Sequence, residues 1–362
     1  MPETASWLEI DRATIVANAR ALAAKAAPAA LCTVVKSNAY GHGMVPVAKA
    51  LADGGIPGLR LAVFTAAEAF ALRHAGITLP IFVVGPVGRD DLAKVAASGI
   101  ELALLDERDC EAFAAAGVAA HLKIETGTNR FGIPAASAPQ VLARCARLGV
   151  RVVGIYSHLA NAEELDKAFA LKQLATLRDV AAGFKNEQVS LHIAASGAAM
   201  MWPEMRLDMV RCGIAVYGAW PSAQVEAVMA GEDPSFALRP ALRWFAPIAQ
   251  IRAAHPGETI GYGRTHEVRR NTRLAVLPVG YADGLPRNVG ESRLQVRVAS
   301  ARAPIVGRIA MNACMVDVTD VAPPPQPGDV VEIEIEPLAR AAGTINYEIL
   351  ARLPVHLERR YQ

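Results

Sequence analysis

A chain of 362 residues, 52% hydrophobic and 20% charged, has room for two domains and for a substantial core, which excludes a disordered or fibrous protein. Its net charge of +2, without any basic block, excludes nucleic acid as an expected partner. Five cysteines without a C-x-x-C pair read as reduced thiols of a cytoplasmic protein, and eight histidines without ligand spacing leave no expectation of a metal.

The chain opens with MPETASWLEIDRATIVANAR, which lacks the basic start and apolar stretch of a signal peptide. No later run is long enough to span a membrane. Trp7–Ile10 read as a strand, with Asp11 as the N-cap of a following helix. Eight short apolar runs then recur with alanine-rich helical stretches between them. They are Leu31–Val35, Leu61–Phe64, Ile81–Val84, Glu101–Leu105, His121–Ile124, Val150–Tyr156, Leu191–Ala194 and Leu207–Val210. Eight strand–helix units predict a (β/α)₈ barrel over residues 1–236, an α/β architecture; the first strand lacks the G-x-G-x-x-G of a doubly wound dinucleotide-binding sheet. The polar stretch Pro221–Ser235 reads as the approach to a junction. Beyond it, RLQVRVA and VVEIEIE alternate with period two between turn residues, which predicts an all-β domain over 237–362.

Chemistry-bearing residues follow the apolar runs directly, where a barrel places its reactive groups. Lys36 ends the first run inside VVKSNAYGHG. A lysine there must reach water, pair with an acid or be chemically consumed, and an imine with a carbonyl cofactor is one such end. HIAASGA and DMVRCGIAVYG fall where barrels bind phosphate, and they offer the Ser196 hydroxyl and the backbone of Gly213 and Ile214; Tyr40 could add its phenol. Arg211 stays charged at any working pH and needs an acceptor, either a cofactor's pyridine nitrogen or a carboxylate such as Asp208. In KIETGTNRFG, Arg130 is placed to grip a carboxylate, with a surface salt bridge as its plainer role, and Lys123 lies in the strand itself. IGYGRTH sets Tyr262 between two glycines, either as a turn tyrosine or as a hydroxyl presented to another cavity.

Taken in order, VVKSNAYGHG, KIETGTNRFG, GIYSHLANAEE, HIAASG, DMVRCGIAVYG, IGYGRTH, VGYADGLPR and VGRIAMNACMVDV resemble the alanine racemases, over nearly the whole chain from Leu8 to about Arg352. The resemblance implies a pyridoxal 5'-phosphate enzyme that is a head-to-tail homodimer with shared active sites, interconverting L- and D-alanine to supply D-alanine for peptidoglycan. It implies that Lys36 holds the cofactor and acts as one catalytic base, with Tyr262 from the partner subunit as the other. It places Arg211 at the pyridine nitrogen and His158 between Arg211 and Tyr262. Tyr40, Ser196, Gly213 and Ile214 match the phosphate ligands, and Arg130 and the backbone of Met311 match the substrate-carboxylate contacts. Lys123 falls where the family often carries a carbamylated lysine.

Two positions depart from the family pattern. Asn312 replaces an aspartate, and Val355 stands where many alanine racemases have a tyrosine near the pocket entrance. Both leave open a broad-specificity racemase acting on serine or lysine. A non-catalytic pyridoxal phosphate carrier would not need Tyr262, and a decarboxylase of related architecture would need acidic pocket groups for which no motif is present.

Overall fold

The computed structural model describes residues 5–184, 189–292 and 294–362. The chain forms two compact units. One holds Arg12–Ala39 and Met44–Pro240; the other holds the N-terminal stretch up to Asp11, Tyr40–Gly43 and Ala241–Gln362.

The first unit is the expected barrel. Its strands are Ala30–Val34, Arg60–Val63, Ile81–Val83, Ile100–Leu104, Ala119–Glu125, Arg151–Tyr156, Ser190–His192 and Met209–Cys212. Consecutive strands pair in parallel, and the eighth returns to the first through Met209↔Ala30 and Cys212↔Thr33. The remaining seam, between strands seven and eight, is bridged by Asp208 N donating to Leu191 O and Arg211 N to Ala194 O, each at 3.0 Å. The barrel is therefore nearly closed.

Helices cover it, several by burying one stripe, while Ser196–Met201 is buried throughout. Arg12–Ala26 turns Ile15, Ala19, Leu22 and Ala26 inward, the spacing of one helical face. Ala66–His74 starts on a Thr65–Glu68 capping box, and Ala138–Leu148 stops at Gly149, whose φ of 76° suits glycine. Pro221–Ser235 differs from its reading as a polar approach. Ser222 caps a helix over Ala223–Glu232 by accepting from Val225 N, so one N-cap serine turned the stretch helical.

Inside the barrel, side chains two residues apart on a strand share a face. Cys32, Ala62, Phe82, Ala103, Tyr156 and Met209 form one buried cluster there. The same faces carry polar groups: Arg60 two before Ala62, Glu101 two before Ala103, Arg211 two after Met209. His121 and His192 are fully buried beside them, 3.0 Å apart from Nδ1 to Nε2. His121 Nε2 lies 2.8 Å from Glu101 Oε2, and Arg60 pairs with the same carboxylate oxygen. Gly154 makes room: a Cβ there would lie 2.0 Å from His121 Nδ1. The sixth strand accommodates this by slipping its register between Ala120 and His121.

The second unit is built mainly of β-structure, as expected. Its nine-stranded sheet contains Leu242–Pro247, Gln250–Ala254, Thr272–Leu277, Gln295–Val298, Ala301–Val306, Cys314–Asp317, Val330–Ile333 and Glu358–Tyr361. Trp7–Ile10 is the ninth. It runs antiparallel to Leu242–Pro247 and parallel to Glu358–Tyr361. The first strand thus pairs more than 200 residues away, and the barrel begins only with Ala30. Arg293, at the start of RLQVRVA, lies outside the described residues; two helices, Ile335–Ala342 and Asn346–Ala351, precede the last strand. Among the described residues no helix is long and apolar enough to cross a membrane.

Burial pushes His121 below the ordinary imidazole range and His192 well below it, with the Arg211 charge adding to the effect on both. A group whose folded pKa is depressed stabilises the fold above its unfolded pKa and loses that contribution as pH falls toward the folded value. The unfolding free energy measured in urea should therefore fall from about pH 6.5 downward, by up to about 1.4 kcal/mol per pH unit for each histidine. His121→Gln should flatten that slope. A slope unchanged by the substitution would show that these imidazoles are not buried in neutral form.

Candidate active site

Lys36 follows the first barrel strand at Val35 and opens a turn of unusual hand. Ser37, Asn38, Ala39 and Tyr40 all have φ between 51° and 55°. For residues with a Cβ this left-handed conformation costs about 1–2 kcal/mol each, so other bonds must hold it. Ala39 N donates to Val35 O at 2.9 Å, Ser37 N to Glu68 Oε1 at 2.7 Å, and Asn38 Oδ1 accepts from Met44 N at 2.9 Å. Gly41 and Gly43 come after this segment, so four non-glycine residues carry the strain. The turn leaves Lys36 partly buried, and burial followed by the Arg130 charge lowers its amine pKa.

Arg211 lies within the eighth strand, one residue short of its end, and is 6% exposed. A buried guanidinium cannot shed its charge, so its surroundings must accept from it. Nη1 lies 2.6 Å from His192 Nδ1; Nη2 reaches Ser157 O at 2.8 Å, Ile193 O at 3.2 Å and His158 Nδ1 at 3.3 Å. Asp208 plays no part in this, because its carboxylate accepts from Leu191 N. The acceptors found are imidazoles and strand-end carbonyls. These bonds leave the Arg211 Nε–H and one Nη1–H for other partners. His158 is pushed down to about 3 by burial and by the cations Arg211, Arg130, Lys123 and Lys36. It is therefore neutral, and since its Nδ1 faces a donor, its proton sits on Nε2.

Across the mouth, Ser196 begins the helix Ser196–Met201, and its Oγ accepts from Gly213 N at 3.0 Å. Ile214 opens a 3₁₀ turn, where the first N–H groups have no intrahelical carbonyl to reach. Lys123 is 4% exposed and donates to Phe131 O at 2.8 Å; burial, then Arg130, brings its amine to about 8. Glu125 is committed to its own loop. Burial opposes its ionisation, but bonds from the backbone of Asn129 and Gly127 and from Thr128 hold it at about 2. Arg130 is exposed and forms no ion pair among the described residues, which sets aside the surface salt bridge.

The barrel unit therefore gathers Lys36, Lys123, Arg130, His158, Ser196, Arg211, Gly213 and Ile214 at the strand ends. Thr65 and Asp106, also at strand ends, serve as helix caps. The other unit carries Tyr40, Tyr262, Met311, Asn312 and Val355. Tyr262 is 67% exposed, Met311 56% and Val355 81%. Tyr40 packs at 6.3 Å between ring centroids from Tyr347. The sequence reading did not single out His121, His192, Glu101 or Arg60. The available signal was a polar residue at alternate positions of an apolar strand, as in His121-Leu-Lys123.

Comparison with known proteins agrees with this geometry. Residues 10–221 match the family "Alanine racemase, N-terminal domain" and 241–361 match "Alanine racemase, C-terminal domain". An alanine racemase of Symbiobacterium thermophilum is 36% identical over 375 residues, covering 98% of this chain and 97% of that one. One of Desulforamulus reducens is 34% identical over 372 residues, covering 98% of each. The solved alanine racemase of a D-cycloserine-producing Streptomyces lavendulae superposes with a TM-score of 0.90 at 34% identity, covering 100% of this chain and 98% of that one. That of Bartonella henselae, described with covalently bound pyridoxal phosphate, gives 0.88 at 29% identity, covering 99% and 100%. With both family domains matched in order over one barrel and one β unit, this chain belongs to the alanine racemase family of isomerases.

Proposed function

We propose that the chain is a pyridoxal 5'-phosphate-dependent racemase that interconverts L- and D-alanine by proton transfer at two bases. The observation that carries this reading is the pairing, at one barrel mouth, of an amine made less basic by burial with a buried guanidinium that cannot lose its charge. The residues suit the cofactor. Lys36 offers an amine for a covalent link, Arg211 has N–H groups to spare for a ring nitrogen, and Ser196 with the backbone of Gly213 and Ile214 offers neutral donors to a phosphate, joined by the Tyr40 phenol. Once bound, the cofactor supplies an electron sink for the substrate's α-carbon.

The protein's own groups do the rest. Lys36, freed of its link, takes or returns the α-proton on one side through Nζ. Tyr262 of a second copy does so on the other through its phenolic oxygen. His158 Nε2–H donates to that oxygen and favours its ionised form, since a hydrogen bond to the charged form lowers a pKa. Arg211 keeps its proton throughout, so it would offer a ring nitrogen a hydrogen bond without conferring positive charge. Arg130 and the backbone N–H of Met311 hold the substrate carboxylate. Lys123, already poised near neutrality, accepts carbon dioxide to become a carbamate that orients Arg130. The active enzyme on this reading is a cytoplasmic homodimer making D-alanine for peptidoglycan. Asn312 and the exposed Val355 leave turnover of serine or lysine as the alternative.

Reduction with borohydride in the presence of pyridoxal 5'-phosphate should fix the cofactor on Lys36, as read by peptide mass spectrometry. An adduct of equal yield in Lys36→Ala would sink the assignment. In deuterated solvent both alanine enantiomers should exchange their α-proton. Tyr262→Phe should keep the cofactor spectrum yet slow exchange of one enantiomer by about a hundredfold or more; equal slowing of both, or loss of cofactor, counts against two bases. With ¹³C-bicarbonate, a carbamate carbonyl resonance should appear and vanish in Lys123→Ala.

A further inference from the structure

The polar chain inside the barrel has only one consistent arrangement of protons. Arginine can only donate and a carboxylate can only accept, and these stand at its two ends. Arg211 Nη1 faces His192 Nδ1 at 2.6 Å, so that nitrogen accepts and the His192 proton sits on Nε2. His192 Nε2 then donates over 3.0 Å to His121 Nδ1, which places the His121 proton on its own Nε2. That proton goes to Glu101 Oε2 at 2.8 Å, and Arg60 pairs with the same oxygen. Both imidazoles are Nε2–H tautomers, and every bond from Arg211 to Glu101 points away from Arg211.

This chain crosses five of the eight strands, where apolar side chains would fill the space without desolvating polar groups. The ring planes are set by packing as well as by bonding. Tyr156 stacks on His192 at 4.9 Å and 8°, Phe82 lies 4.3 Å from the His121 ring, and Gly154 clears the space His121 occupies. Without the acceptor at Glu101, His121 can move its proton to Nδ1, where it faces the proton on His192 Nε2. Relieving that clash moves the His192 proton to Nδ1, where it faces the donor Arg211. The disorder thus travels to the guanidinium.

We propose that Glu101 is a positioning residue for the reaction: acting through His121 and His192, it fixes the direction of the hydrogen-bond chain that holds the Arg211 guanidinium in place. Its effect on turnover rests on the function proposed above; the tautomers themselves do not. The test uses the full chain with ¹⁵N-histidine, reading ring tautomers by multiple-bond ¹H–¹⁵N NMR before pyridoxal 5'-phosphate is added. The wild type should show His121 and His192, assigned by comparison with single histidine variants, as Nε2–H imidazoles, each lost or mixed in Glu101→Leu and retained in Glu101→Gln, which keeps an accepting oxygen. After loading with cofactor, Glu101→Leu should lower kcat for alanine about tenfold or more while KM stays within about twofold, and Glu101→Gln should restore most of it. If Glu101→Leu folds poorly, Gly154→Ala displaces His121 without altering any charge and should give the same pattern. Unchanged tautomers and kcat in Glu101→Leu overturn the proposal. So does equal loss in Glu101→Gln, since charge rather than direction would then matter. Tautomers that behave as expected in a wild type that racemises nothing support the bond chain and reject the function proposed above.

Discussion

A guanidinium enclosed in a barrel imposes conditions on everything around it. Arg211 cannot lose its charge to escape burial, so its neighbours must accept hydrogen bonds without themselves carrying positive charge. Two carbonyls at the ends of barrel strands, Ser157 O and Ile193 O, meet this condition because parallel strands stop with unpaired acceptors near the mouth. The other two acceptors are imidazoles, which can accept only when neutral. The Arg211 charge itself enforces that neutrality, adding to burial in lowering both His158 and His192. Arg211 therefore reinforces the neutrality that burial imposes on its own supports.

Burial acts in the same direction on lysine, with a different result. An ammonium can respond to burial and to nearby cations by giving up its proton, so Lys36 and Lys123 become better nucleophiles where Arg211 remains a fixed charge. Arg130 contributes to both shifts although it is exposed and forms no ion pair among the described residues. The division of labour follows from the two side chains, since burial is the leading influence on Lys36, Lys123 and Arg211 alike. The left-handed turn after Lys36 shows what holding the amine there requires. Four residues of positive φ are tied on both sides, Ser37 N donating to Glu68 Oε1 and Asn38 Oδ1 accepting from Met44 N.

Much of the barrel was legible because its strands are short, apolar and separated by helices with clear stripes and caps. Lys36 and Arg211 stood out for a related reason, since each is a cation at the edge of an apolar run. His121, His192, Glu101 and Arg60 did not, because barrel strands are buried on both faces, so even the alternation of His121-Leu-Lys123 does not reveal which way a residue points. Their meeting depends on register across five strands. Asp208 illustrates the same limit: nearness in sequence made it a plausible partner for Arg211, while the strand placed it against Leu191 N. Trp7–Ile10 read correctly as a strand, but its neighbours were fixed by pairing with residues near 244 and 360. The turn SNAY contains no glycine to announce positive φ, so its hand was invisible in composition.

The polar chain beneath Arg211 bears on why an arginine occupies this position at all. A carboxylate there would accept a hydrogen bond from a protonated ring nitrogen and stabilise its full positive charge, strengthening the electron sink. Arginine offers a hydrogen bond and keeps its proton, so on the proposed reading the sink is weaker and a carbanion is held less firmly. Weak stabilisation suits a reaction whose only task is to return a proton from the other side, because a long-lived carbanion invites protonation elsewhere. It also asks more of the bases, which must be close to matched in pKa with what they deprotonate. The depressed amine of Lys36 meets that demand through burial and Arg130, and His158, bonded to Arg211, would meet it at the opposite base. On the proposed reading, the cation that limits the sink would thus also order the imidazole serving the second base, so both requirements would trace to the same buried charge.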